Sequence, residues 1–368
     1  MQCDSCILCA STVMCSNKTE SHAVALGAGV HVLRSTALEL LHSIKKRMAL
    51  VFPGQGSQYV GMGRLLYNVS PAARRVFDRA NDVLGFSLTT LCFEGPQAEL
   101  DDTYNAQPAI LTVSIACLEA LREKLSPLGI NVSPAMVAGH SLGEFTALVA
   151  AGSLQFDEAL LLVRERGRLM AESALTRPGG MAAVIGLDET QLRAVVDEAQ
   201  SYGVVTMANA NSPGQTVLSG EVAALTRAME LAKERGAKLV QRLAVSIASH
   251  SPLMQNASLR FAEFSNQIAM VTPTVPLIAN ISASMLHTVE ELRAEINGQL
   301  TRPVQWTGSV QMMIEEGVDT FIELGPKQVL TGLIKRINAQ VQTLSLSDVE
   351  IVKILYGADS ELPAPAAS

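Results

Sequence analysis

Basic charge is scarce in this chain. Its 28 Lys and Arg are outnumbered by 35 Asp and Glu, for a formal net charge of −7. With no long basic run against that balance, a nucleic-acid-binding surface is excluded as its main business. Long apolar runs are missing too: no stretch reaches the roughly 20 residues that a membrane span needs. Only 17% of residues are charged and 48% are hydrophobic, which suits a globular chain with a sizeable core. Cysteine thins out sharply after Cys3, Cys6, Cys9 and Cys15, leaving Cys92 and Cys117. Those two fall in apolar or helical surroundings and read as reduced core residues, so a cytoplasmic setting is expected. The leading cluster is spaced loosely like an iron–sulfur set, but no proline follows its fourth cysteine and no second ligand group appears, so no metal is expected. Histidine is sparse as well: beyond residue 47 only His140, His250 and His287 exist.

A chain of 368 residues exceeds one simple domain. Residues 1–47 show no periodicity before the patch 38–44, and Asp4 with the polar run 16–20 spoils a secretory leader. They are expected to be an extension outside the core, with the folded unit starting at Met48. From there, strands over 48–52 and 135–138 alternate with helices over 70–84, 108–125 and 157–173. Alternation resumes after residue 247 and runs to about 346, which implies a mostly parallel sheet covered on both faces. Between them, 174–246 reads β-α-β-β-α-β, the order of a ferredoxin-like unit. The expected organisation is therefore a catalytic part of 48–173 and 247–346, a small subdomain over 174–246, and a tail over 347–368.

The stretch that carries most information is Gly139-His140-Ser141-Leu142-Gly143, between an apolar strand and a helix that stops near Gly152. A Gly-x-Ser-x-Gly pentapeptide there forces a tight turn and holds the serine hydroxyl at its tip, beside a helix N-terminus that favours negative charge. A serine needs a base. His140 should point away from Ser141 into packing, and His287 sits beside the Thr288 helix cap. His250, between a strand end and a helix start, is the base by elimination, against the plainer reading of a hydrogen-bonded loop histidine. Arg166 shares a helical stripe with Leu162, Val163, Gly167 and Met170, so it turns inward. An inward arginine pairs with a buried acid or clamps a substrate carboxylate, and the pattern leaves both open. Gln55 follows a strand and a Pro-Gly turn, where it is either a loop residue or one whose side-chain amide points at an oxyanion, with the backbone N–H of Leu142 as the other donor.

Phe52-Pro53-Gly54-Gln55-Gly56-Ser57-Gln58 and Gly139-His140-Ser141-Leu142-Gly143-Glu144 together resemble the malonyl-CoA:acyl-carrier-protein transacylase family. Arg166-Gly167, Asn209 to Gln215, Ser249-His250 and Pro303-Val304-Gln305-Trp306 follow in matching order, over about residues 48–346. The resemblance implies an α/β fold, with an α/β-hydrolase-like parallel-sheet core and an inserted ferredoxin-like small subdomain. It implies that Ser141 is acylated, that His250 is its general base, and that Gln55 and the Leu142 N–H hold the oxyanion. Arg166 would bind the malonyl carboxylate and Asn211 would help shape the site. A backbone carbonyl near Gln305, rather than an acid, would orient the histidine. Expected partners are malonyl-CoA and acyl carrier protein, with no cofactor, and the chain is expected to act as a monomer. Lys327, Lys335 and Arg336 are candidates for a basic patch facing an acidic carrier. The residues 1–47 have no counterpart in the family's bacterial form, and Ile247-Ala248 sits where related polyketide acyltransferases vary with extender unit. Competing readings are a discrete polyketide acyltransferase, a serine esterase or thioesterase with an acid behind His250, and a non-catalytic carrier-binding module.

Overall fold

Short strands that are apolar at every position set the architecture, because such strands need cover on both faces. The computed structural model describes residues 38–357. Its strands are β1 (Met48–Phe52), β2 (Met136–Gly139), β3 (Gly179–Ile185), β4 (Val205–Ser212), β5 (Gln215–Glu221), β6 (Leu239–Arg242), β7 (Leu277–Ile278), β8 (Met285–Leu286), β9 (Thr320–Leu324) and β10 (Gln342–Leu346). In β1, Met48, Leu50 and Phe52 join one apolar cluster while Ala49 and Val51 join another. Successive side chains leave opposite faces of a strand, so β1 is the seam between two cores.

The larger sheet runs β10-β9-β1-β2-β7-β8, parallel except for the final pair. The smaller sheet, β4-β5-β3-β6, is antiparallel. Helices Glu189–Ala199 and Val222–Glu234 bury Leu192, Val195, Leu225 and Leu231 against it. The chain is thus an α/β fold with a parallel core and a small antiparallel subdomain. The two are stitched at β4, where Ala210 N–H donates to Val304 O (2.9 Å) and Val304 N–H donates to Ala208 O (2.8 Å). Local signals hold: Ser70 caps Pro71–Leu84, and Asp188 with Gln191 and Thr288 with Glu291 form capping boxes.

Three expectations are corrected. The helix expected from Pro108 starts at Thr103, because Asp102 caps it by accepting Tyr104 N–H; Pro108 lies inside the second turn and forfeits one helical hydrogen bond. The extension 1–47 is not all outside the core. Residues 38–44 are helical and bury Leu40 and Ile44, and Arg47 Nε donates to Glu316 O. The tail expected from 347 also packs: Ile351 and Val352 are buried, and the Asp348 carboxylate accepts from Tyr59 Oη (2.9 Å) and Gly63 N (2.6 Å). The leading cysteines and the Ala/Pro/Ser-rich end lie outside the described residues. Cys92 and Cys117 are free and buried. Among the described residues no helix is long and apolar enough to cross a membrane, and no group of His, Cys, Asp or Glu could hold a metal.

Candidate active site

β2 ends at Gly139 and the helix Gly143–Ala150 begins at once, so the intervening residues must turn sharply. Ser141 takes φ 52°, a left-handed conformation costly for a residue with a side chain. The flanking glycines are steric requirements. A Cβ on Gly139 would lie 1.9 Å from the Gly143 carbonyl, and one on Gly143 would lie 2.1 Å from Phe52 O. Asn280 then fixes the turn, its Nδ2 donating to Gly139 O and its Oδ1 accepting Ser141 N–H, both at 2.7 Å.

His250 also has a positive φ, 58°, and is buried. Its Nδ1 lies 2.8 Å from Gln299 O and 3.2 Å from Arg302 O. Carbonyl oxygens only accept, so Nδ1 carries the proton and the Nε2 lone pair faces Ser141 Oγ, 2.8 Å away. Burial, and then the charge of Arg166, pushes the imidazole down to about 3, with the Gln299 carbonyl opposing. The ring is therefore neutral and ready to accept a proton. The orienting carbonyls come from the 3-10 turn Gln299–Thr301 and its neighbour. Gln305, expected near that role, instead caps the helix Trp306–Glu315, donating its N–H to Asn280 O and accepting from Ser309 N. The imidazole packs over the turn upstream of it, which is why the expectation is displaced by a few residues.

Arg166 is brought in by its neighbour. Gly167 lies so close to the helix Thr103–Leu125 that a Cβ there would sit 2.6 Å from Thr103 O. The buried guanidinium then donates to Gln107 Oε1 and Gln299 Oε1, each at 2.8 Å, and to Ser141 Oγ at 3.1 Å. No carboxylate lies within ion-pair distance of it among the described residues, so its structural partners are neutral amides. Nε has no hydrogen-bond partner among them. Burial lowers its proton affinity to about 10, which leaves it charged at neutral pH.

Gln55 Oε1 accepts from Thr103 Oγ1 (2.8 Å), which in turn accepts from Gln107 Nε2 (2.9 Å), so a hydrogen-bonded relay links the Gln55 loop to Arg166. The Gln55 side-chain amide, expected as an oxyanion donor, is thus anchored on Thr103, whereas among the described residues no hydrogen bond takes up the backbone N–H of Gln55 or Leu142. His140 makes no hydrogen bond to Ser141 among the described residues, yet it lines the same cleft: its Nε2 donates to Asn211 Oδ1 (2.8 Å) and its ring meets Trp306 edge-on. The cleft, about 530 Å³, lies between core and subdomain, with Met181, Val217, Leu243 and Val245 from the small side and Leu330 and Leu333 opposite. Gln107, Asn280 and Gln299 had no motif to announce them. The available hints were weak, chiefly a glutamine in an otherwise apolar helix stripe. Lys327, Lys335 and Arg336 are all exposed; Lys327 is bonded to Gly56 O, which lines the cleft, Arg336 to Gln215, and Lys335 to Val341 O.

A serine with a neutral base, free backbone donors and a nearby unpaired cation is equipped for acyl transfer from an anionic acyl donor. Comparisons with known proteins agree with that chemistry. The family profile described as "Acyl transferase domain" matches residues 49–354. The malonyl CoA-acyl carrier protein transacylase of Bacillus subtilis is 44% identical over 309 residues, 84% of this chain and 96% of that protein. Its Escherichia coli K12 counterpart is 41% identical over 301 residues, 82% and 95% of the respective chains. Among solved structures, the malonyl CoA-acyl carrier protein transacylase of Coxiella burnetii superposes with a TM-score of 0.80 at 39% identity, covering 85% of this chain and 98% of that one. A malonyl-transacylase in complex with a type II polyketide synthase acyl-carrier protein gives a TM-score of 0.79 at 38% identity, covering 85% and 100%.

Proposed function

This chain belongs to the acyl transferase family that includes the malonyl-CoA:acyl-carrier-protein transacylases, and we propose on that footing that it moves a malonyl group from malonyl-CoA to the phosphopantetheine thiol of acyl carrier protein, in fatty acid synthesis. Ser141 Oγ attacks the thioester carbonyl while its proton passes to His250 Nε2. The C–S bond breaks, and coenzyme A leaves with that proton. The carrier thiol then gives its proton to His250, attacks the seryl ester, and Ser141 recovers the hydrogen. The backbone N–H groups of Gln55 and Leu142 receive the developing oxyanion, a contribution of about 2.7–4 kcal/mol per donor in comparable sites. The acyl group passes between thioester and ester with no change of oxidation state, so the chemistry calls for no redox cofactor.

The observation that carries this reading is Arg166, a buried cation beside the nucleophile whose protein partners are amide oxygens rather than a carboxylate. Its charge is left for the free carboxylate of malonate, with Asn211 and His140 on the cleft wall. The esterase alternative wanted an acid behind His250, where two carbonyls stand; Asp157 pairs with Arg79 and Asp188 caps a helix. Service to a polyketide synthase remains the second reading, favoured by the likeness to the polyketide carrier's transacylase. The test is Arg166→Ala, comparing malonyl-CoA with acetyl-CoA. Removing one member of a buried charge pair costs about 3–5 kcal/mol, so malonyl transfer should fall by roughly 10²–10⁴-fold while acetyl transfer falls little or rises. Equal losses with both donors would reduce Arg166 to a structural part.

A further inference from the structure

Arg166 can only donate hydrogen bonds, and that one-way chemistry orders the side chains behind it. Its Nη1 donates to Gln107 Oε1 at 2.8 Å, so the other end of that amide, Nε2, points away from the cation. Nε2 donates to Thr103 Oγ1 at 2.9 Å and reaches Met170 Sδ at 3.3 Å. With a lone pair of the Thr103 hydroxyl taken, its hydrogen is directed at Gln55 Oε1, 2.8 Å away. The Gln55 amide is thereby set with Oε1 toward Thr103, and among the described residues no hydrogen bond uses its Nε2. Gln55 and Arg166 both line the cleft, so the relay faces it at either end with N–H groups to give.

The middle of the relay is dry and closely held. Thr103 is 4% exposed and Gln107 not at all. They stand four residues apart at the start of the helix Thr103–Leu125, and so on one face of it. Gly167, next to Arg166, packs against the Thr103 carbonyl with no room for a Cβ. Only a group that accepts and donates at once can join Gln107 Nε2 to Gln55 Oε1. A methyl in its place would leave both amides free to turn. A turned Gln107 would set N–H groups against the guanidinium, and a turned Gln55 would set a carbonyl oxygen toward an anionic acyl group. We propose that Thr103 is a positioning residue for recognition of the acyl carboxylate: its hydroxyl hands on to Gln55 the donor-to-acceptor order that Arg166 imposes, so that Gln55 Nε2 is a second donor to the anionic acyl group beside the guanidinium. The proposal rests on the malonyl transfer put forward above and adds to it how the site keeps its amides turned toward an anion.

Thr103→Val keeps the shape and removes the hydroxyl. With two neutral hydrogen bonds gone, kcat/KM for malonyl-CoA should fall about tenfold, chiefly through KM, and that for acetyl-CoA by less than about twofold. Thr103→Ser brings back the hydroxyl without the methyl and should recover most of the malonyl loss. Gln107→Leu cuts the same relay, so the double variant of Thr103→Val with Gln107→Leu should be little worse than Gln107→Leu alone. Losses that multiply in the double variant overturn the proposal, as does a serine variant as poor as the valine one. So does an equal loss with both donors accompanied by a lowered Tm, which marks a merely structural hydroxyl. Malonyl on wild-type Ser141 is read first, by intact mass. Its absence refutes the reaction and the relay's role with it; a normal adduct together with an undiminished malonyl preference in Thr103→Val refutes the relay alone.

Discussion

His250 and Arg166 meet at one hydroxyl, and burial together with the charge of Arg166 lowers the imidazole's affinity for a proton. The consequence for pH is specific. An ordinary imidazole, with a pKa of about 6.5, would be mostly protonated and useless as a base at about pH 5. With His250 pushed down to about 3, acylation of Ser141 should stay flat from pH 8 to pH 5, measured as malonyl incorporation in single-turnover quench. A midpoint near 6.5 would contradict the buried, carbonyl-oriented tautomer. Stability behaves oppositely. The folded pKa is depressed, so below about 6.5 the unfolded chain binds a proton that the folded chain refuses; stability is full above that value and is lost as pH falls toward 3. His250→Gln should remove that slope, worth about 2 kcal/mol between pH 7 and 5, in urea unfolding.

Elements position these side chains through contacts that sequence patterns express unevenly. Strands apolar on both faces, helix caps and the Gly-x-Ser-x-Gly turn were all legible, because each is a local steric or hydrogen-bonding requirement. The first turn of the helix Thr103–Leu125 was not. Pro108 looked like a beginning, yet the Asp102 cap upstream tolerates one lost hydrogen bond inside the helix. That hidden turn carries Thr103 and Gln107, the relay between Gln55 and Arg166. The residues 38–44 showed as a short periodic patch, but a turn or two of helix is too little to tell from the sequence that it packs into the core. Leu40 has no exposed surface and packs into the larger core. Leu40→Ala should therefore cost about 2–5 kcal/mol in urea unfolding, a loss that a dispensable extension would not show.

At the scale of the whole molecule, the cleft between core and subdomain is what a carrier protein must approach. Lys327 just before the helix Val329–Ile337 and Arg336 in its last turn are exposed, and Leu330 and Leu333 of that helix line the cleft. Reversing both charges (Lys327→Glu with Arg336→Glu) should slow transfer to an acidic carrier about tenfold, with a reduced salt dependence, while acylation by malonyl-CoA is unchanged. Unchanged carrier kinetics would remove that edge from the interface. The amino-acid sequence by itself singled out Ser141, His250, the inward Arg166 and the order of elements, because each shows in a short motif, a periodic face or the scarcity of histidine. Only the tertiary structure decided that Gln299 rather than Gln305 supplies an orienting carbonyl, that Arg166 rests on amides, and that Asn280 pins the turn around Ser141. Those facts depend on residues from 49 to 141 positions apart meeting in a dry interior. There, distance and desolvation, which no local pattern records, set what each group can do.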